Sequence, residues 1–134
     1  MLKLIPASHR DLLSDEVRAF AYLATQMADL SPQVTPVWFN VDGEHILVNT
    51  ARGRAKERNM SQRPQVALAI SDPADPYRYI QIRGRVEQVV EEGAREHIDA
   101  LSKKYTGRER YTPRRPDEVR VIYKILPERV TVQG

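Results

Sequence analysis

The chain holds 134 residues, enough for one domain, expected to span 1–134, that buries its own core without metal or disulfide staples. It contains no cysteine, which excludes disulfide frameworks, thiolate zinc sites, iron–sulfur clusters and cysteine nucleophiles. Its 21 Lys and Arg against 18 Asp and Glu leave a formal charge of only +3, so local clustering of charge matters more than the total.

The opening "MLKLIPASHRDLL" has no apolar segment of signal-peptide length, and no run approaches a membrane span, so a cytoplasmic location is expected. Ser8 and Asp11 have the spacing of a helix start and precede Leu12, Leu13 and Val17, which predicts a first helix over 8–18. "AFAYLAT" reads as a strand. "QVTPVWFNV" is β-branched and aromatic, "DG" at Asp42-Gly43 is a hairpin signal, and "EHILVNT" returns as its partner. Pro36 argues for an edge position or a bulge, because proline cannot donate to a ladder.

A short helix is expected over 54–61, followed by the uniformly apolar strand "QVALAIS" and the turn "DPADP". "YRYIQIRGRVEQVV" alternates strictly, with Ile80, Ile82, Gly84 and Val86 on one face. Ala94, Ile98, Leu101 and Tyr105 then form the apolar stripe of a helix. After the basic loop "TGRERYTPRRP" comes "VRVIYKI", with Val119, Val121, Tyr123 and Ile125 on one face, and "PERVTVQG" adds a last short strand. Six or seven strands and two or three helices at this spacing predict an antiparallel sheet curled into a small barrel, with helices outside.

The densest chemistry lies in "VNTARGRAKERNMSQRP", which sets Arg52, Arg54, Lys56 and Arg58 within seven residues. A strand ending at Asn49-Thr50, a turn through Gly53 and a helix starting near Arg54 bring free backbone N–H groups and a positive dipole end together. Such a junction suits a phosphate, which Arg can grip through two oxygens. A solvated helix face would carry the same charges outward, and charge alone leaves both readings open.

His9, His45 and His97 lie far apart without metal-ligand spacing, so no metal site is expected and each reads as a surface or satisfied histidine. No Ser–His–Asp pattern or carboxylate pair stands out, and no catalytic side chain is assigned. In "GRERYTPRRP", Tyr111 sits among Arg108, Arg110, Arg114 and Arg115, a pattern that can stack on and neutralise single-stranded nucleic acid. The small net charge argues against that partner. Trp38 either shields a ligand ring or packs into the core.

The segment "QVTPVWFNVDGEHILVNTARGRAKERNMSQRPQVALAISDPADPYRYIQIRGRVEQV", with "GAREHIDALSKKYTG" and "RRPDEVRVIYKI" after it, resembles the pyridoxamine 5′-phosphate oxidase-like, split-barrel flavin-binding superfamily. Within it, the chain is most similar to the actinobacterial branch described as probable coenzyme F420-dependent enzymes. The resemblance implies a mainly β (α+β) fold: a six-stranded antiparallel split β-barrel, of the FMN-binding type, with two or three peripheral helices. It also implies a homodimer with the cofactor in a groove between subunits.

On the matching motifs it implies Asn49, Thr50, Arg54, Ala55 and Lys56 as phosphate contacts. Thr35, Pro36, Val37 and Trp38 would lie along the (deaza)isoalloxazine ring, and Arg78 of "PYRY" would be a further cofactor ligand. The activity implied is an F420-dependent oxidoreductase passing a hydride between the deazaflavin and a small unsaturated or quinone-like substrate. An FMN-binding oxidase or reductase is the alternative, as is a non-enzymatic flavin-binding protein. Neither nucleic acid nor a membrane is implied as a partner.

One departure stands out. Related sequences often carry Asp-Gly before this strand, whereas this chain reads "ADLSPQVTPVW", so Leu30-Ser31 bears on the rim and substrate access. A barrel this small would expose the apolar residues of "TPVWF" and "VRVIY" unless a partner covered them.

Overall fold

The computed structural model describes residues 2–134. In chain order it forms a 3₁₀ helix (Ala7–Leu13), β1 (Ala21–Gln26), β2 (Pro32–Val37), β3 (Asn40–Asp42) and β4 (His45–Ala51). Then follow α1 (Ala55–Gln62), β5 (Gln65–Asp72), β6 (Asp75–Val90), α2 (Ala94–Thr106) and β7 (Arg120–Gln133). The seven strands form one antiparallel sheet in the order β2-β1-β5-β6-β7-β4-β3.

The two edge strands, β2 and β3, are neighbours in sequence, separated only by Trp38 and Phe39. Three Cα steps span at most about 11 Å, so the edges must come together at that end. The sheet therefore rolls into a barrel that is split, not sealed, between β2 and β3. The predicted strand "QVTPVWFNV" is thus two strands on opposite edges, and the sheet has seven strands, within the six or seven read from the residues and one more than the resemblance implied. Pro36 does sit on an edge strand, where its missing N–H interrupts no ladder.

Inside the barrel, Leu23, Phe39, Ile46, Val48, Leu68, Ile70, Ile80, Ile82, Val121, Tyr123 and Ile125 are buried in one core. The alternation of β6 is realised: Ile80 and Ile82 face inward, and at Gly84 a Cβ would collide with the Leu126 carbonyl of β7. β7 runs without a break through Pro127, so the two C-terminal strands expected are one. A bulge absorbs Glu128, letting Gly84 pair with Pro127 while Arg83 pairs with Arg129.

Val121, Tyr123 and Ile125 face the core as predicted, but Val119 precedes the strand and is exposed. The opposite face of β7 is not bare. Ile122 packs under α2 with Leu47 and Ala94, so the apolar residues of "VRVIY" other than Val119 are covered within one chain.

The first helix is shorter than expected, a 3₁₀ turn over Ala7–Leu13 with no side-chain cap. Ser8 Oγ instead meets His9 Nδ1, and Asp11 turns to Arg78. Leu30 keeps the left-handed backbone (φ +70°) that a glycine would take without strain, and Asp29 accepts from both the N–H and the hydroxyl of Ser31. No helix among the described residues is long and apolar enough to cross a membrane.

Candidate functional site

The crossing from β2 to β3 is clamped by the last turn of α2. Lys104 Nζ donates to the Phe39 carbonyl at 2.7 Å and lies 4.6 Å from the Phe39 ring, while Tyr105 Oη donates to the Ala19 carbonyl at 2.6 Å. Trp38 stacks on Tyr105, with 5.5 Å between ring centroids and 5° between planes, and Phe20 meets the same ring edge-on. This packing leaves Trp38 half-buried, with one part in the structure and another on a cavity.

That cavity, of about 260 Å³, is lined by Phe20, Pro36, Val37 and Trp38 on one side. Asn49, Arg54, Lys56, Ile98, Tyr111, Arg114 and Arg120 line the other. The residues predicted from two separate motifs thus meet, since Pro36, Val37 and Trp38 face Asn49, Arg54 and Lys56. Ala55 opens α1 beside them, and the first-turn N–H groups of Ala55, Lys56 and Glu57 lack carbonyl partners one helical turn back.

Thr35 and Thr50 do not line the cavity, but their hydroxyl oxygens are the buried side-chain atoms without a hydrogen bond among the described residues. Arg78 is not part of this arrangement. Its guanidinium is held by Asp11 (2.6 Å), Asp72 (3.0 Å) and the Ser8 carbonyl (2.6 Å), tying the β5–β6 hairpin to the N-terminal 3₁₀ turn.

The junction itself is built on a residue that sequence reasoning missed. Glu57 is buried, accepting from the Gly53 N–H (3.1 Å), Arg52 (3.1 Å) and the Tyr123 hydroxyl (2.7 Å). Desolvation pushes its carboxyl up, yet those donors outweigh it and hold the group ionised below its usual range. Gly53, at φ +90°, makes the turn, and Arg58 donates to its carbonyl. Arg52 also reaches Glu91 at 2.9 Å. Two of the four clustered cations therefore shape the loop, and the other two, Arg54 and Lys56, face the cavity.

Electrostatically the cavity is lopsided. Arg54, Lys56, Arg114 and Arg120 meet there, and a carboxylate beside them, Glu118, takes Arg120 at 2.8 Å and Arg54 at 3.4 Å. Lys56 is half-buried, and among the described residues no carboxylate pairs with it. Burial first, then the charges of Arg54, Arg120 and Arg114, hold its ammonium below the usual lysine range. An amine in that position gains from any anion that enters.

Arg120 was not singled out in the sequence. The alternation of β7 places it on the face away from Val121, the face that α2 covers at Ile122. Its Nε donates to Asn49 Oδ1 at 2.8 Å, and its guanidinium lies 4.8 Å from the Tyr111 ring centroid. Asn49 Nδ2 donates to the Ala94 carbonyl at 2.8 Å and meets His97 Nδ1 at 3.0 Å, while His97 Nε2 meets Asn40 Oδ1 at 2.8 Å. The other histidines are also engaged, His9 with Ser8 and the Gln133 carbonyl, His45 with Glu87. The basic loop "GRERYTPRRP" folds back on the protein, with the Tyr111 N–H bonded to Asp99 and Arg114 on the cavity.

A split antiparallel barrel with a cavity lined by basic residues at the N-terminus of α1 defines the class of this protein as a split-barrel fold. Residues 5–134 match the family described as pyridoxamine 5′-phosphate oxidase, and the chain belongs to that family, which includes flavin-dependent oxidoreductases. A solved structure described as an F420 reductase is 32% identical, with a TM-score of 0.81 over 95% of this chain and 98% of its own.

A protein of Listeria innocua described as a putative pyridoxamine 5′-phosphate oxidase is 20% identical, with a TM-score of 0.69 over 93% of this chain and 94% of its own. A conserved hypothetical protein of Mycobacterium tuberculosis is 22% identical, with a TM-score of 0.73 over 97% and 85%. These two show the fold alone. None of the curated proteins compared with this chain matches it.

Proposed function

We propose that the protein is an F420-dependent oxidoreductase, passing a hydride between the deazaflavin and a small unsaturated or quinone-like substrate. The observation that carries the anion site is Lys56, a half-buried ammonium among three arginines with no carboxylate of its own. The choice of cofactor is supported by the 32% identity to the F420 reductase along nearly the whole chain. FMN, which family members bind, is the alternative and needs a phosphate site of the same kind.

The residues present fit such a group. Lys56, Arg54 and the first-turn N–H groups of α1 supply charge-assisted donors for a phosphate. Pro36, Val37 and Trp38 supply a flat apolar wall, and Pro36 leaves its edge without an N–H at that point. F420, when bound, supplies the hydride chemistry. The chain binds and orients it and keeps water from the apolar wall.

Beyond Arg54 and Arg114 a second cavity of about 360 Å³ opens between Arg52, Gly53, Arg115, Asp117 and Glu118. Carboxylates of a long anionic tail could reach Arg114 and Arg115 there, whereas Arg52 and Arg58 are already bonded to the junction.

Paired titrations with F420 and FMN at low and high ionic strength test the assignment. F420 should bind more tightly, by a margin that shrinks as salt rises, because exposed tail contacts add only about 0.2–1 kcal/mol each. Tighter binding of FMN at both ionic strengths would overturn the F420 assignment in favour of the FMN reading.

A further inference from the structure

We infer that His97 and Asn49 form a positioning relay that holds the Arg120 guanidinium at the cavity, so that Asn49 serves the ligand through Arg120 and not by touching it. The inference rests on the cavity being an anion site, as proposed above.

An asparagine side chain offers two N–H donors and one carbonyl. Asn49 commits all three: its Nδ2 donates to the Ala94 carbonyl and to His97 Nδ1, and its Oδ1 accepts from Arg120 Nε. For His97 Nδ1 to accept, the ring proton must sit on Nε2, which then donates to Asn40 Oδ1. The donors therefore run in one direction, from Arg120 to Asn49 to His97 to Asn40.

Each residue comes from a different element, β7, β4, α2 and β3, so the relay exists only in the folded chain. Burial, with Arg120 nearby, keeps the ring neutral, as the accepting Nδ1 requires.

Arg120 is fixed from three sides. Nε is held by Asn49, Nη1 donates to Glu118 Oε1 at 2.8 Å, and the Tyr111 ring lies alongside. A guanidinium is planar, so two anchored nitrogens set the direction of the third. Neither bond uses Nη2. The side chain lines the cavity although the residue is only 6% exposed, which leaves that nitrogen as a pre-aimed donor toward an anion beside Lys56.

A merely structural histidine predicts something different, and four variants separate the two. His97→Gln can accept from Asn49 and donate to Asn40, so it should bind F420 within about twofold of wild type. His97→Leu cannot, and should weaken binding about tenfold. Arg120→Lys keeps the charge and the Glu118 pair but loses the Nε bond, and should also weaken binding about tenfold. The double variant His97→Leu with Arg120→Lys should be no weaker than Arg120→Lys alone, because both act through one bond.

Wild-type affinity in His97→Leu, or losses that multiply in the double variant, would overturn the relay. Wild-type protein that binds neither F420 nor FMN would instead remove the proposed function. The relay then stands or falls on the Arg120 Nε–H nuclear magnetic resonance signal in unliganded protein. That signal should be slow to exchange in wild type and His97→Gln. Persistence of the same protection in His97→Leu would reject the relay.

Discussion

Lys56 condenses the residue-scale argument. A half-buried ammonium beside three arginines is repelled by them and rewarded when an anion enters. Lys56→Ala and Arg54→Ala should each weaken cofactor binding by about 1.5–3 kcal/mol, roughly tenfold or more. Lys56→Ala should leave the unliganded protein equally or more resistant to heat, because it relieves like-charge repulsion. Unchanged affinity in both variants, measured by titration, would reduce the junction to a solvated helix face.

His97 makes a second test. Its neutral form is favoured on folding, with a pKa lowered from 6.5 to about 4 by burial and by Arg120. Between those values the unfolded chain binds a proton that the native state excludes. Its stability contribution is therefore full above about 6.5 and is lost as pH falls toward 4, by up to about 3 kcal/mol. Denaturant midpoints measured from pH 7 to pH 4 should fall less steeply in His97→Gln. At Leu30, held at φ +70°, Leu30→Gly should raise stability by about 0.5–1 kcal/mol, the relieved left-handed strain exceeding the extra unfolded-chain entropy. A lower thermal midpoint in that variant would show the Leu30 conformation to be unstrained.

At the scale of elements, the close packing of β6 on β7 sets the barrel's curvature. Gly84 lies where the Leu126 carbonyl leaves no room for a methyl group, next to the bulge that passes Glu128. Gly84→Ala should destabilise by about 1–3 kcal/mol, since backbone, not a pliable side chain, must move. Chemical denaturation measures this directly, and a neutral result would mean that β7 shifts freely.

The elements most legible in the sequence were those with one clear period. β6 and α2 carry their apolar positions at spacings of two and of three to four, and both formed as read. The segment "QVTPVWFNV" misled because one unbroken run of strand formers serves two sheet edges. Composition cannot mark a crossing whose only local sign is two aromatic residues. Glu57 and Arg120 escaped notice for a related reason: a buried charge looks like a surface charge until its partners, Tyr123 and Asn49, arrive from distant strands.

For the molecule as a whole, the uncovered surface argues for a dimer, though only Pro36 of "TPVWF" lies on the face concerned. In "VRVIY", Ile122 is roofed by α2 and Val121 and Tyr123 lie in the core, and Val37 and Phe39 are buried. What remains bare is the outer face of β2, β1 and β5, where Tyr22 lies between Pro36 and Ala69, and Ala24 between Val34 and Ala67. Tyr22 and Val34 are 46% and 62% exposed, and Phe20 and Pro36 carry this apolar surface to the rim of the cavity. We expect a second copy to cover it, giving a sedimentation mass near twice 15.4 kDa at micromolar concentration. Ala67→Arg should dissociate that dimer and weaken cofactor binding together. A monomeric wild type that still binds cofactor would reject the interface.

The sequence by itself determined most of the strands and helices and the concentration of charge at the strand-to-helix junction, because periodicity, turn residues and charge spacing are local properties. It also carried the family resemblance through motifs kept in order. Tertiary structure decided which charges do which work. Arg52 and Arg58 brace the turn, Arg78 binds Asp11 and Asp72, and Asn49 turns to Arg120, while Arg54 and Lys56 are left facing the cavity. The physical reason is that a charged side chain takes the nearest geometrically suitable partner. Those partners lie as many as 71 residues away along the chain and come within reach only when the barrel closes.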